Sequence, residues 1–368
     1  MITDFDRFAM NRALVLAARG LETTHPNPRV GCVIAQGQKI IGEGWHARAG
    51  EAHAEVAALS AVRSAGVDPK GTTAYVTLEP CSHHGRTPPC ANALISAGIA
   101  RVVFAVQDPN PEVSGRGAEA LRQAGIAVES GLMEAESVDL NIGFMKRMTY
   151  GRPWVRVKLA MSLDGRIALA NGASRWITGE AARADVQHWR ARSSAVMTGV
   201  GTVLADDPRL DVRLAPEKPE EEPWQPLRVV LDTRLRTPAD SRLFATGGEV
   251  LILTEDATRG AAFAAMGVAV ETVPASGGRL DLAAVIDRLG ELESNEVLVE
   301  AGPTLSGELL LQGLVDELLL YVAPKLLGPQ GLPLVDLPEI GDLQEALGFT
   351  VAGVQRFEDD LRLRLRPR

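Results

Sequence analysis

Apolar positions along this chain recur with two periods, and the change from one to the other outlines its elements. Recurrence every three to four residues predicts helices over 5–20 and 51–65, while short continuous apolar runs predict strands over 30–35, 39–45, 73–78 and 101–106. The first two strands meet at the Gln36-Gly37 turn. Further helices over 89–97 and 115–124 and a strand over 126–129 complete a three-layer α/β/α domain. Residues 134–151 carry little strand character and end on the breaker Gly151-Arg152-Pro153, which predicts a domain boundary near 148 and a division into 1–147 and 148–368. The second half has its own α/β alternation, with strands expected over 154–159, 228–231, 249–253 and 296–299. Its most polar stretch, Glu217-Lys218-Pro219-Glu220-Glu221-Glu222-Pro223, reads as a solvated loop. The two halves share no motif, so duplication does not explain them.

Composition narrows what such a chain can do. At 368 residues it is long enough for two domains with separate cores. Apolar residues make up 46% of it, yet none of the runs approaches the roughly 18 residues a membrane span needs. The opening Met1-Ile2-Thr3-Asp4-Phe5-Asp6-Arg7 lacks the apolar core of a secretory signal. Three cysteines are too few and too odd for a disulfide framework, so a reducing cytoplasm is expected. A net charge of −9 argues against nucleic acid as a partner, because binding it requires phosphate neutralisation. A small-molecule substrate is expected instead.

The most informative chemistry is His53-Ala54-Glu55, followed by Pro80-Cys81 and then Cys90. One imidazole and two thiolates suit a mononuclear zinc that keeps its fourth position open. A carboxylate two residues past the histidine can then move protons without occupying the metal. This is the pattern of a hydrolytic nucleobase deaminase. A structural zinc would want a fourth ligand and would have no use for Glu55. The region between the cysteines, Ser82-His83-His84-Gly85-Arg86-Thr87-Pro88-Pro89, is too polar for a core strand, and its length departs from the common P-C-x-x-C. Cys32, inside an apolar run, reads as a buried structural thiol.

That long-spaced block, Glu79-Pro80-Cys81 through Pro89-Cys90, together with His25-Pro26-Asn27-Pro28-Arg29-Val30-Gly31, resembles the deaminase half of the bifunctional riboflavin-biosynthesis deaminase–reductases. The second half lacks G-x-G-x-x-G. It has a strand running into Ala301-Gly302-Pro303-Thr304-Leu305-Ser306-Gly307 and then a helix, a turn that suits either an anion site or a plain helix cap. With Gly199-Val200-Gly201-Thr202 through Asp206-Asp207-Pro208, Lys158 through Gly165, and Ser174-Arg175-Trp176-Ile177-Thr178, it is similar to the reductase domain of the same family, over about residues 5–330 in all.

The resemblance implies a cytidine-deaminase-like domain followed by a dihydrofolate-reductase-like α/β domain. It also implies zinc and NADPH as cofactors and a phosphoribosylaminopyrimidine as substrate. Hydrolytic deamination of the ring would be followed by reduction of the ribosyl group to ribityl. By the same resemblance, His53, Cys81 and Cys90 would hold zinc and Glu55 would be catalytic. Ala160, Trp176, Thr202, Asp206, Thr233, Gly302, Pro303, Thr304, Leu305, Ser306, Gly307 and Glu308 would contact NADPH. Ser174, Arg190, Leu210, Arg213 and Glu300 would hold the substrate, the two arginines as forks for its phosphate. Asn27 is expected to orient ring or sugar, and His83 or His84 to meet the phosphate. Asp164 could instead simply close the turn at Asp164-Gly165. A homo-oligomer is expected. An alternative keeps the deaminase and makes the second half a repurposed domain.

Overall fold

A computed structural model describes residues 2–82, 89–111, 113–215 and 224–368. The chain divides into two compact units, Met1–Gly151 and Arg152–Arg368.

The first unit contains α1 (Asp4–Ala17), β1 (Gly31–Gln36), β2 (Lys39–Trp45), α2 (Ala54–Ser64), β3 (Thr73–Leu78), α3 (Cys90–Ser96), β4 (Arg101–Val106), α4 (Arg116–Gln123), β5 (Ala127–Ser130), α5 (Glu134–Leu140) and α6 (Ile142–Tyr150). Its sheet runs β2-β1-β3-β4-β5, with β1 antiparallel to both neighbours and β3, β4 and β5 parallel. Strand β1 is almost wholly buried because both sheet faces are covered, which is why its sequence is a continuous apolar run rather than an alternation. Cys32 and Ile34 pack with α2 and α3 on one face, and Val33 and Ala35 pack with α1 on the other. Helix α1 starts at a reciprocal cap in which the Thr3 hydroxyl accepts from the Asp6 N–H and the Asp6 carboxylate accepts from the Thr3 N–H. Helix α2 lies hard against β2. A Cβ at Gly44 would sit 2.5 Å from the Ala54 carbonyl oxygen, so only glycine lets the start of α2 come this close.

The second unit contains β6 (Trp154–Ser162), β7 (Arg166–Ala168), α7 (Glu180–Arg192), β8 (Ala195–Gly199), α8 (Val200–Asp206), β9 (Leu227–Leu231), β10 (Val250–Thr254), α9 (Ala261–Ala264) and β11 (Ala269–Thr272). The short pair β12 (Ala275–Ser276) and β13 (Arg279–Leu280) comes next, then α10 (Leu282–Glu291), β14 (Glu296–Val299), α11 (Pro303–Leu311), β15 (Glu317–Ala323), β16 (Leu332–Pro333), β17 (Phe349–Phe357) and β18 (Asp360–Pro367). The large sheet runs β11-β10-β9-β8-β14-β6-β15-β18-β17 and is parallel from β11 to β15, with β18 and β17 antiparallel at one edge. One face buries Val155, Val157, Val297 and Val299 under α10 and α11. On the other face Arg156 is fully buried between Glu296 at 2.7 Å and Glu317 at 2.5 Å, with its guanidinium 4.7 Å from the Trp189 ring. Two opposed carboxylates and an aromatic face are what such a buried cation requires.

Candidate active sites

In the first unit the strand-to-helix turns carry the chemistry. His53 is the N-cap of α2, extended at φ −69°, and Glu55 follows in the first turn. Cys81 leaves the end of β3, and Cys90 opens α3. Their donor atoms converge: His53 Nδ1 lies 3.1 Å from Cys90 Sγ and 3.7 Å from Cys81 Sγ, and all three lie within 4.8 Å of one another. The Cys90 N–H also donates to Cys81 Sγ at 3.3 Å, and the Ala91 N–H to the Cys81 carbonyl.

These contacts set the protonation of the group. A hydrogen bond from the Cys90 thiol, and then one from His53, pull Cys81 down to about 4, so it is the thiolate of the pair, while Cys90 is pushed up. His53 is raised, first by its bond to Cys81. Glu55, only 3% exposed, is lifted to about 7 by burial and then by the Cys81 charge. A carboxyl that titrates near neutrality can both take and give a proton under working conditions. Asn27 donates its amide to His46 Nε2 at 3.0 Å, and the His46 ring meets that of His53 edge-on at 5.3 Å, which puts Asn27 beside the cluster. His83 and His84 lie outside the described residues.

In the second unit the parallel strands β8 and β14 are neighbours, and each runs into a glycine turn and a helix. Gly199 is the N-cap of α8, and Gly302 the N-cap of α11 with Pro303 at its start. The two turns approach each other, since a Cβ at Gly199 would lie 3.5 Å from Leu305 Cδ2. A Cβ at Gly302 would meet nothing within 4 Å, so this turn opens outward while Thr304 is exposed beside it. Ser306 and Gly307 are buried, and a Cβ at Gly307 would strike the Asp336 carbonyl oxygen at 2.1 Å, so that side of the helix is packed. Thr202 and Asp206 lie on α8, and the Asp206 carbonyl accepts from Arg175 at 2.9 Å, tying the Trp176 segment to that helix. Trp176 is exposed under the Arg183 guanidinium, and its carbonyl accepts from Lys325 at 3.0 Å. The Thr233 carbonyl, just past β9, accepts from the Thr254 hydroxyl at 2.9 Å.

Glu300 follows β14 and is gripped by Arg190 from α7 through two bonds of 2.5 and 2.9 Å, while a third Arg190 nitrogen donates to the Asp211 carbonyl. These two expected substrate contacts therefore occupy each other. Arg213, half-exposed, pairs with Asp211 at 2.5 Å and keeps much of its guanidinium in solvent. Leu210 is buried and adopts φ 55°, and Ser174 is half-exposed on the Trp176 segment. Lys158, on β6 beside Ala160, faces the same ion pair. Burial drives its pKa down against the pull of Glu300. Burial would lift Glu300, but Arg190 and Lys158 hold it below the usual carboxylate range. Lys158 had no role in the sequence analysis. The sequence signal was weak, a second basic residue beside Arg156 in a mainly apolar strand. Asp164 closes its turn, accepting from the Ser162 hydroxyl and from the Leu327 and Gly328 N–H groups.

Comparison with known proteins adds to this geometry. The cytidine and deoxycytidylate deaminase zinc-binding region matches residues 3–106, and the RibD C-terminal domain matches residues 153–363. The riboflavin biosynthesis protein RibD of Escherichia coli (strain K12) is 50% identical over 98% of this chain and 99% of that protein. The chain belongs to the RibD family. The RibD of Haemophilus influenzae is 45% identical, covering 98% of this chain and 96% of its own. Among solved structures, Acinetobacter baumannii RibD covers 99% of both chains at 44% identity and TM-score 0.91. A Thermotoga maritima diaminohydroxyphosphoribosylaminopyrimidine deaminase/5-amino-6-(5-phosphoribosylamino)uracil reductase does so at 34% identity and TM-score 0.86.

As a member of this family, the protein is a bifunctional deaminase and reductase of riboflavin biosynthesis, with zinc and NADPH as its cofactors. The repurposed-domain alternative falls with the match over 153–363. Its residues fit both groups. Zinc bonds of about 2.0 Å to nitrogen and 2.3 Å to sulfur imply tetrahedral N–S edges of about 3.5 Å, and the edges of 3.1 and 3.7 Å lie on either side of that value. Two adjacent helix N-termini, one behind a turn with open space at Gly302, fit the phosphates of a dinucleotide. No helix among the described residues is long and apolar enough to cross a membrane.

Proposed function

We propose that the first unit hydrolytically removes the 2-amino group of 2,5-diamino-6-(phosphoribosylamino)pyrimidin-4-one as ammonia, and that the second reduces the ribosyl group of the product, 5-amino-6-(5-phosphoribosylamino)uracil, to ribityl. The uracil is named in the description of the Thermotoga maritima relative, and the pyrimidinone is the keto form of the diaminohydroxyphosphoribosylaminopyrimidine named there. The observation that carries the reading is the convergence of His53, Cys81 and Cys90 with Glu55 buried next to them. His53 Nδ1 and the two sulfurs hold the zinc. Zinc supplies Lewis acidity that makes water acidic near neutral pH. Glu55 takes the proton of the attacking water, passes it to the ring nitrogen and assists the departure of ammonia. Asn27 orients the pyrimidine or its sugar from beside the cluster.

In the second unit Gly302, Pro303, Thr304 and Leu305, with Thr202 on the neighbouring helix, receive the cofactor phosphates. Ala160, Trp176, Asp206, Thr233, the buried Ser306 and Gly307, and the part-exposed Glu308 shape the remainder of that site. NADPH supplies the hydride. Arg213, tied to Asp211 through one nitrogen, offers the substrate phosphate its remaining N–H groups, and Ser174 and Leu210 shape the approach. Lys158, whose pKa burial lowers beside the Glu300–Arg190 pair, gives the reduced sugar its proton. We further propose a cytoplasmic homo-oligomer. Cytoplasm suits three free thiols, and an oligomer would cover the outer edge of β17. Sedimentation of the purified chain checks the assembly.

The test is to replace each cysteine in turn. Cys81→Ser and Cys90→Ser should lose zinc by elemental analysis and release no ammonia from the diaminopyrimidine, while still oxidising NADPH on the supplied uracil. Full zinc content in both variants would refute the ligand set.

A further inference from the structure

Glu79 is buried, 3% exposed, and no Lys or Arg pairs with it among the described residues. A carboxylate out of water needs donors, and these are all backbone N–H groups. One oxygen accepts from Gly115 at 3.0 Å and Asp108 at 3.3 Å, and the other from Ala118 at 3.0 Å. Gly115 and Ala118 belong to the first turn of α4, whose free N–H groups favour an anion. The Glu79 backbone is fixed too, its N–H donating to the Val106 carbonyl at the end of β4. Helix α4 presses on the next residue, since a Cβ at Gly117 would lie 1.9 Å from the Pro80 carbonyl oxygen. The segment from which Cys81 emerges is thus held by α4 through Glu79 and by contact at Pro80.

We propose that Glu79 is a positioning residue for the metal site: by fastening the root of the Cys81 segment to α4 it keeps the Cys81 sulfur at bonding distance from the zinc. The carboxylate acts through the backbone and does not touch the metal or the substrate. Its alternative is a purely structural contribution, a buried anion that steadies the fold without bearing on the zinc. The two differ in what they do to zinc retention at equal stability.

This inference rests on the assignment of His53, Cys81 and Cys90 as zinc ligands, and the experiment separates the two. Zinc release from the full-length chain is followed with a chromogenic chelator. Wild type that carries no zinc overturns the ligand assignment itself. With zinc in wild type, Glu79→Gln, which replaces one accepting oxygen by an NH2 group, is expected to release it 10- to 100-fold faster, as partners of metal ligands commonly do when altered. Asp6→Asn is the control, a buried carboxylate on the opposite face of the sheet that accepts from Tyr75 and Arg101. It should lower the melting temperature without speeding release. Equal release by wild type and Glu79→Gln, or equal acceleration by a matched Asp6→Asn, overturns the proposal. If Glu79→Gln does not fold, Glu79→Asp takes its place, with an intermediate rate expected and a wild-type rate overturning the idea. Cobalt substitution gives a second readout, because a displaced Cys81 sulfur changes the thiolate-to-metal absorption bands.

Discussion

Glu55 is asked to be buried and ionisable at once, and the cost is measurable. In an unfolded chain it titrates near 4.5 and in the fold at about 7, so the folded state holds its proton more tightly. Below 4.5 both states are protonated and the difference vanishes. Above 7 the fold carries a buried carboxylate, a penalty of about 3 kcal/mol. Metal-free protein should therefore lose stability between pH 4.5 and 7, and Glu55→Gln should flatten that dependence. Urea unfolding of both chains at several pH values checks it, and parallel curves would contradict the burial argument. In zinc-loaded protein the same substitution should leave the metal in place while ammonia release falls by about 10²- to 10⁴-fold, the usual share of a proton shuttle. Residue types and spacing made His53, Cys81, Cys90 and Glu55 legible in the sequence. The roles of Glu79 and Lys158 were not legible, because each depends on groups distant in sequence, the N–H groups at the start of α4 and the Arg190–Glu300 pair.

At the scale of elements, the glycine turn before α11 makes the sharpest prediction. Gly302→Asp has room for its side chain but brings a negative charge to the start of the helix, where a cofactor phosphate would lie. NADPH affinity should fall at least tenfold in fluorescence titration, with the fold unchanged in circular dichroism. Unchanged affinity would make the turn an ordinary helix cap. All the strands of the first sheet, but only β6, β9, β10 and β14 of the large one, could be read from the sequence. Strands β3, β4 and β14 match to the residue because strands buried in parallel pairing leave unbroken apolar runs, and the antiparallel β2 matches because the Gln36-Gly37 turn marks its start. The expected strand over 154–159 extends to Ser162. The C-terminal hairpin of β17 and β18 escaped the sequence reading. Its Arg362 and Arg364 look like a solvated face, yet they pair with Asp185 and Glu317, partners the pattern of the hairpin itself does not reveal.

For the molecule as a whole, each unit has its own core and its own site. A fragment spanning Arg152–Arg368 should therefore fold alone and oxidise NADPH with the deaminated uracil, and should do nothing with the undeaminated pyrimidine. Full-length Glu55→Gln should behave the same way, which guards against a fragment that merely misfolds. Steady-state NADPH oxidation with each substrate decides it. Failure of the folded full-length variant on the supplied intermediate would mean that the two activities are coupled.

The placement of β6 also bears on how the chain is made. This first strand of the second unit lies at the middle of its sheet, and Arg156 on it waits for Glu296, 140 residues later, and Glu317, 161 residues later. At ribosomal rates of about 5–20 residues per second, that wait lasts roughly 7 to 30 s. Throughout it the strand has neither lateral partner, and a cation destined for burial stands unneutralised. The strands of the first unit wait less, since β2 pairs with β1 across a tight turn and β5 pairs with β4 across α4. Premature termination after β6 but before β14 would thus release a nascent chain with a finished deaminase fold and a sticky, partnerless tail.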